Sequence, residues 1–235
     1  MWQGQRVSVV FPAYNEEAGI AAAVDDFGGI EAVDEVLVVD NNSRDQTAAR
    51  AAAAGARVVR EPRQGYGNAL RRGLSEAQGA YIVLAEPDGT FMGKDVLKLL
   101  TYADDFDLVL GTRTTRELIW HGANMGWQLR WGNWVVAKLL QVLFGGPSLS
   151  DCGCTLRLVR RSAAQRLLPR FTVGGSHFLP EMVCLALLEG QRLVEVPVNY
   201  RDRVGESKIT GSMQTALRVG ARMIGLILRY RLFGR

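Results

Sequence analysis

A chain of 235 residues with 48% hydrophobic content can bury one large core, or one domain with an appendage. The net charge is only +4, and basic residues gather after Arg201 and in the last 18 residues. That distribution points to a phosphate-rich ligand or an anionic membrane surface, and no signature of a nucleic-acid-binding module is present. Apolar runs then alternate with amphipathic segments. Strands are expected at Arg6–Phe11, Glu35–Val39, Arg57–Val59, Ala80–Ala85 and Asp107–Leu110. Helices are expected between them at Glu16–Phe27, Arg44–Ala54, Gly67–Gln78 and Lys94–Ala103. This rhythm predicts an α/β fold with a doubly wound, mostly parallel sheet. Ser43-Arg-Asp-Gln46 has the form of a capping box for the second helix, and Gly55 is placed to end it.

The second half is less regular. Residues 120–146 are aromatic and amphipathic, and Trp120, Trp127, Trp131 and Trp134 lie in them. From Ala216 to Phe233, aliphatic residues mix with Arg218, Arg222, Arg229 and Arg231. Tryptophan and arginine beside aliphatic side chains suit a bilayer interface. No run reaches the ~18 apolar residues of a membrane span, and no signal peptide precedes the first strand. The expectation is a cytoplasmic protein bound peripherally to the membrane, with a main domain over residues 1–210 and a basic amphipathic helix over 211–235.

Polar residues follow three of the strands: Tyr14-Asn-Glu16, Asp40-Asn-Asn-Ser43 and Glu86-Pro-Asp88. In an open α/β sheet, ligands bind outside the carboxyl ends of the strands. Glu86 and Asp88 are the most informative pair, because two hard oxygen ligands there suit Mg²⁺ or Mn²⁺ held against phosphates. Cys152 and Cys154 find no second Cys or His pair to complete a metal site, and His121 and His177 are far apart in sequence. An odd cysteine count without a disulfide-like framework fits a reducing compartment.

Six motifs then occur in order: Val9-Val-Phe-Pro-Ala-Tyr-Asn-Glu-Glu17, Val38-Val-Asp-Asn-Asn-Ser-Arg-Asp-Gln-Thr47, Gln64-Gly-Tyr-Gly-Asn-Ala-Leu70, Glu86-Pro-Asp-Gly-Thr90, Asp151-Cys-Gly-Cys-Thr-Leu-Arg157 and Tyr200-Arg-Asp-Arg-Val-Gly-Glu-Ser-Lys208. Over about residues 6 to 210 the chain resembles the family 2 glycosyltransferases of GT-A fold. Within them it is most similar to the polyprenyl-phosphate glycosyltransferases, dolichol-phosphate mannose synthases among them. The resemblance implies that Pro12, Ala13, Tyr14 and Glu16 line the nucleoside pocket and that Asp40 contacts base or ribose. Gly65 would approach the nucleotide closely. Glu86 and Asp88 would hold the cation, with Thr90 beside them. Arg203, Ser207 and Lys208 would close over the phosphates, and Arg113 and Arg130 would grip an acceptor phosphate. Three positions depart from the family pattern: Glu86 where Asp is usual, Thr90 for a glutamine, and Asn41 for the second Asp of an Asp-Asp pair.

The implied reaction is an inverting transfer of a sugar from a nucleotide diphosphate to a polyprenyl phosphate, with GDP-mannose the first candidate donor and UDP-glucose the next. A phosphate acceptor is largely deprotonated at neutral pH and needs no general base. A hydroxyl acceptor would need one, and Asp151 and Glu181 are the candidates, with a sugar-hydroxyl ligand the favoured reading of Asp151 and the role of Glu181 left open. A nucleotide-sugar-binding subunit without turnover is the remaining alternative.

Overall fold

The structure, a computed structural model, describes residues 1–123, 127–204 and 213–234. Seven strands form one sheet: β1 (Val7–Ala13), β2 (Glu35–Asp40), β3 (Arg57–Arg60), β4 (Tyr81–Leu84), β5 (Leu108–Thr112), β6 (Arg157–Arg160) and β7 (Leu193–Pro197). Their order is β3-β2-β1-β4-β6-β5-β7. β6 runs antiparallel to both its neighbours, and every other pairing is parallel. The mostly parallel sheet read from the sequence is therefore present, with two strands, β6 and β7, added from the second half.

Both faces of the sheet are covered, which is why its strands read as nearly unbroken apolar runs. Val9, Phe11, Val38 and Val83 face one core with α1 (Ile20–Gly28), α2 (Thr47–Ala53) and α4 (Asp95–Thr101). Val10, Leu37, Val39 and Leu84 face the other. That second core is closed by α3 (Tyr66–Glu76), α5 (Trp127–Phe144), α6 (Arg161–Leu167), α7 (Phe178–Leu188) and α8 (Met213–Phe233).

Helix starts differ from the expected ones. α1 begins at Ile20, because Glu16 to Gly19 form a turn whose Gly19 and Ile20 amides both donate to the Glu16 carbonyl. α2 begins at Thr47 without the capping box. Ser43 Oγ accepts instead from the Asn15 amide, which ties the loop after β2 to the loop after β1. Gly55, at φ +93°, does follow the end of that helix.

The C-terminal helix is stitched into the body of the protein. Ile227 and Tyr230 are buried against the α7 side of the core. The Tyr230 hydroxyl donates to Glu181 Oε1 at 2.7 Å. Glu181, wholly buried on α7, also accepts from the Thr172 amide and hydroxyl and from the Val173 amide. Glu181, whose role the sequence leaves open, is thus a structural acceptor here. Tyr230→Phe removes one bond to a carboxylate that keeps three other donor groups, so a loss of about 1.5 kcal/mol is expected. A urea unfolding midpoint lowered at constant slope would register it; an unmoved midpoint would mean that apolar packing alone holds α8.

Candidate active site

The direction of β6 decides which residues meet. Carboxyl ends of β1, β2, β4, β5 and β7 share one edge of the sheet, and at that edge the antiparallel β6 presents its beginning. The Asp151–Thr155 segment therefore arrives beside the loops that follow β4 and β5. Strand order reverses between β1 and β4, so the loops after these two strands flank the switch point where such sheets take ligands.

Asp88 lies in this crevice and is 1% exposed. Its Oδ1 accepts from the Thr90 amide and, at 2.6 Å, from the Thr90 hydroxyl. Thr90 thereby orients the carboxylate. Asp88 Oδ2 is buried without a hydrogen-bond partner, although Arg203 Nη1 stands 3.3 Å away. The 3.3 Å separation is an ion pair that lacks hydrogen-bond geometry. Arg203 Nη2 is also 3.3 Å from Glu16 Oε1, so one guanidinium spans the loops on both sides of the switch point. The segment carrying it is strapped down by backbone bonds from Arg201 N to the Thr90 carbonyl and from Val204 N to the Asp88 carbonyl.

Glu86 projects toward a different neighbourhood. Its Oε1 accepts from Tyr66 OH at 3.2 Å and from Thr155 Oγ1 at 3.0 Å. Burial, and then the Asp88 charge, push its carboxyl up to about 7, against the Thr155 hydrogen bond and the Arg203 and Arg113 charges. Two neighbouring carboxyl groups, one with an unpartnered buried oxygen, form a hard-oxygen donor set that fits Mg²⁺ or Mn²⁺. Among the described residues no group of three or more His, Cys, Asp or Glu could enclose a metal. The donors fit an ion that draws its remaining ligands from phosphate and water.

Arg113, largely covered, and the wholly buried Asp151 form an ion pair. Arg113 Nε and Nη2 donate to the two Asp151 oxygens at 2.7 and 2.9 Å, and the Arg113 and Gly153 amides add bonds to the same carboxylate. The Tyr200 ring lies 5.2 Å from the guanidinium carbon. Burial alone would raise the Asp151 carboxyl, but the Arg113 charge and hydrogen bonds outweigh it and hold the group below the usual aspartate range. A carboxylate so placed is a weak proton acceptor. Asp151, a candidate base only for a hydroxyl acceptor, is the Arg113 counter-ion here, and Arg113 is correspondingly a neutralised cation. Arg130, at the start of α5, donates to the Thr114 carbonyl next to Arg113.

The residues that the resemblance assigns to the nucleoside sit at the β1 and β2 ends. Pro12 and Ala13 are buried as the last residues of β1, Tyr14 and Glu16 are partly exposed in the turn beyond, and Asp40 ends β2 with Oδ1 accepting from the Ser43 amide. Asn41 was read as a departure, and its amide has a use that a carboxylate could not serve. Asn41 Nδ2 donates to the Glu61 and Arg63 carbonyls while Oδ1 accepts from the Gly65 amide. Gly65 is required by the packing of the protein itself. At φ +144° and ψ 138°, a Cβ there would lie 2.3 Å from the Gly174 carbonyl oxygen. Gly65→Ala is expected to cost at least about 2 kcal/mol and to weaken nucleotide binding by displacing this loop. Calorimetric unfolding and a nucleotide titration would both detect the change.

Ser207 and Lys208 lie outside the described residues. All three cysteines are buried free thiols, with Cys154 and Cys184 raised by burial to about 12, which suits neither metal binding nor nucleophilic chemistry. Tyr66, Thr155 and Asn41 are site residues that sequence reasoning missed. Tyr66 and Thr155 stand inside recognised motifs, but their meeting with Glu86 depends on the direction of β6.

The family model for glycosyl transferase family 2 matches residues 8–168. The chain belongs to this family. An uncharacterized glycosyltransferase of Mycobacterium tuberculosis is 36% identical over 217 residues, covering 91% of this chain and 94% of the relative. A dolichyl-phosphate hexose transferase of Haloferax volcanii is 31% identical over 206 residues, covering 86% of each. Among solved structures, glucosyl-3-phosphoglycerate synthase from Mycobacterium tuberculosis in complex with uridine diphosphate superimposes with a TM-score of 0.76 at 22% identity, covering 97% of this chain and 80% of that one. A crystal of the same synthase with Mn²⁺, UDP-glucose and phosphoglyceric acid gives a TM-score of 0.74. The family 2 chain described here is a glycosyltransferase with the GT-A fold.

Proposed function

We propose that this glycosyltransferase moves a sugar from a nucleotide diphosphate to the phosphate of a polyprenyl lipid, at the cytoplasmic face of a membrane. The observation that carries the lipid acceptor is the outer face of α5 and α8. Trp131, Trp134 and Val142 are exposed on α5, and Ile224, Leu228, Leu232 and Phe233 on α8. Arg218, Arg222, Arg229 and Arg231 are exposed beside them. Val142, Leu232 and Phe233 each keep more than 70% of their surface open to solvent (78%, 72% and 74%). Apolar anchors flanked by arginine fit an anionic bilayer surface, where a polyprenyl tail must stay because each methylene is worth about 0.8 kcal/mol to it. No helix among the described residues is long and apolar enough to cross a membrane, so the face would lie in the interface. The similarity to a dolichyl-phosphate hexose transferase supports the same acceptor class.

In this reading Glu86 and Asp88 hold a divalent cation, which supplies charge neutralisation on the leaving diphosphate. Arg203 moves from its two carboxylate partners to phosphate oxygens, with Ser207 and Lys208 further along the same loop. Pro12, Ala13, Tyr14, Glu16 and Asp40 form the nucleoside wall. Arg130 contacts the acceptor phosphate, and the Arg113–Asp151 pair fixes the floor beneath it. The acceptor oxygen displaces the diphosphate in one step with inversion, and needs no base because a phosphate monoester is already largely ionised. The buried pairing of Asp151 disfavours a hydroxyl acceptor that would rely on it.

The deciding assay gives purified protein labelled GDP-mannose or UDP-glucose, a polyprenyl phosphate and Mn²⁺, with EDTA as control. Metal-dependent label in the organic phase is the expected result, together with flotation on anionic vesicles. Nucleotide binding without lipid-linked label from either donor would overturn the acceptor assignment.

A further inference from the structure

We propose that Tyr66 and Thr155 are positioning residues for Glu86, a hydroxyl pair that sets which of its oxygens reaches the cation. The proposal rests on the metal role given above to Glu86 and Asp88. Its geometry comes from the sheet. β4 and β6 are antiparallel with Leu84 opposite Arg157. Continuing that register two residues past the paired strands sets Glu86 across from Thr155, and their side chains meet at 3.0 Å. Tyr66 reaches the same oxygen from the first residue of α3, and its hydroxyl is 2.7 Å from Thr155 Oγ1.

The three oxygens come from three elements and are held from behind. Gly67 leaves no room for a side chain against the Val173 carbonyl, so the start of α3 is pressed onto its neighbour. Arg157, buried at the start of β6, donates to the Cys152, Cys154 and Leu179 carbonyls and fixes the segment that carries Thr155. Two hydroxyl protons cannot serve all three contacts at once, but whichever hydroxyl donates to the other, the second proton is left for Glu86 Oε1, so that oxygen is committed to this cluster. The carboxylate is then oriented with Oε2 as the oxygen left to meet an ion. An aspartate at this position would reach about 1.5 Å less, one carbon–carbon bond, and would fall short of the hydroxyls. The pair thus accounts for a glutamate where the family pattern has aspartate.

The test measures Mn²⁺ affinity by electron paramagnetic resonance on the full chain with UDP or GDP present, and separately the Mn²⁺ concentration that gives half-maximal transfer. Tyr66→Phe and Thr155→Val should each weaken Mn²⁺ binding about tenfold while kcat at saturating Mn²⁺ changes much less. Thr155→Ser should retain near wild-type affinity. In a Glu86→Gln background, Thr155→Val should add nothing. Thermal unfolding of each variant identifies loss of folding, and Thr155→Ser with Tyr66→Phe, which disturb packing least, then decide the question. If Asp88→Asn and Glu86→Gln weaken Mn²⁺ binding but the hydroxyl variants do not, or if Thr155→Val is fully additive with Glu86→Gln, the positioning role is overturned. If Asp88→Asn and Glu86→Gln leave Mn²⁺ binding unchanged, the metal reading itself fails.

Discussion

Asp88→Asn is expected to lower metal-dependent transfer by about 1000-fold, the equivalent of about 4 kcal/mol of lost charge stabilisation. The expectation follows from the two oxygens of this carboxylate having different partners. Oδ1 is occupied by the Thr90 amide and hydroxyl, and an asparagine oxygen can still accept both. Oδ2 is buried and lacks a hydrogen bond, and replacing it with an amide NH₂ removes the negative ligand the cation needs. Arg203 loses one ion-pair partner but keeps Glu16, so the loop remains tethered. The fold should therefore survive, with an unfolding temperature close to that of the unaltered chain. Lipid-linked label within tenfold of wild type, in a folded variant, would mean that the cation is held elsewhere.

Arg113→Ala should have the largest effect on stability. It leaves Asp151, which is wholly inaccessible to solvent, without its bidentate partner. Stripping one member from a buried ion pair costs about 3–5 kcal/mol, which for a chain of this size lowers the unfolding temperature by roughly 10 °C. Lysine at this position should recover only part of the loss, because a single ammonium cannot reproduce the fork. The effect carries a pH signature. Asp151 is held below its ordinary value of 3.8 in the folded chain, so its contribution is fully present above that value. It is lost as pH falls below that value through the folded pKa. The stability gap between wild type and Arg113→Ala should accordingly be widest near neutrality and narrow below about pH 4. A gap independent of pH would assign the loss to packing against Tyr200 instead of to charge.

The parts of the fold that were legible in the sequence are those whose residues carry the signal alone. β1, β2 and β4 are buried on both faces, and their nearly unbroken apolar runs announce it. β6 was missed because Arg157-Leu-Val-Arg160 looks amphipathic, while Arg157 is in fact interior and satisfied by carbonyls. β7 was missed for a similar reason, since Glu195 interrupts it and accepts from the Ser150 and Asp151 amides. The acids at the β4 end were legible as a pair at the carboxyl edge of the sheet, where the structure has them. The partners of Asp151, Glu181 and Gly65 were not. Each has its partner within the protein: Arg113, Tyr230 and Gly174 respectively. Residue type predicts that a buried acid or a strained glycine has a partner. Which partner it has depends on the path of the chain.

That path bears on how the protein comes to be made. β1 to β4 can pair with one another once residue 84 has been synthesised. β5 is complete at Thr112, yet one of its partners begins at Arg157 and the other at Leu193. Throughout that interval the outer edge of β4 and both edges of β5 have no strand to join, a condition that invites pairing with other chains. β6, which covers the β4 edge and one edge of β5, also brings Thr155 to Glu86, so the crevice is assembled only as the sheet closes. A nascent or truncated chain ending before Arg157 would possess the acids, but the segment that carries Thr155 would have no strand to hold it beside them.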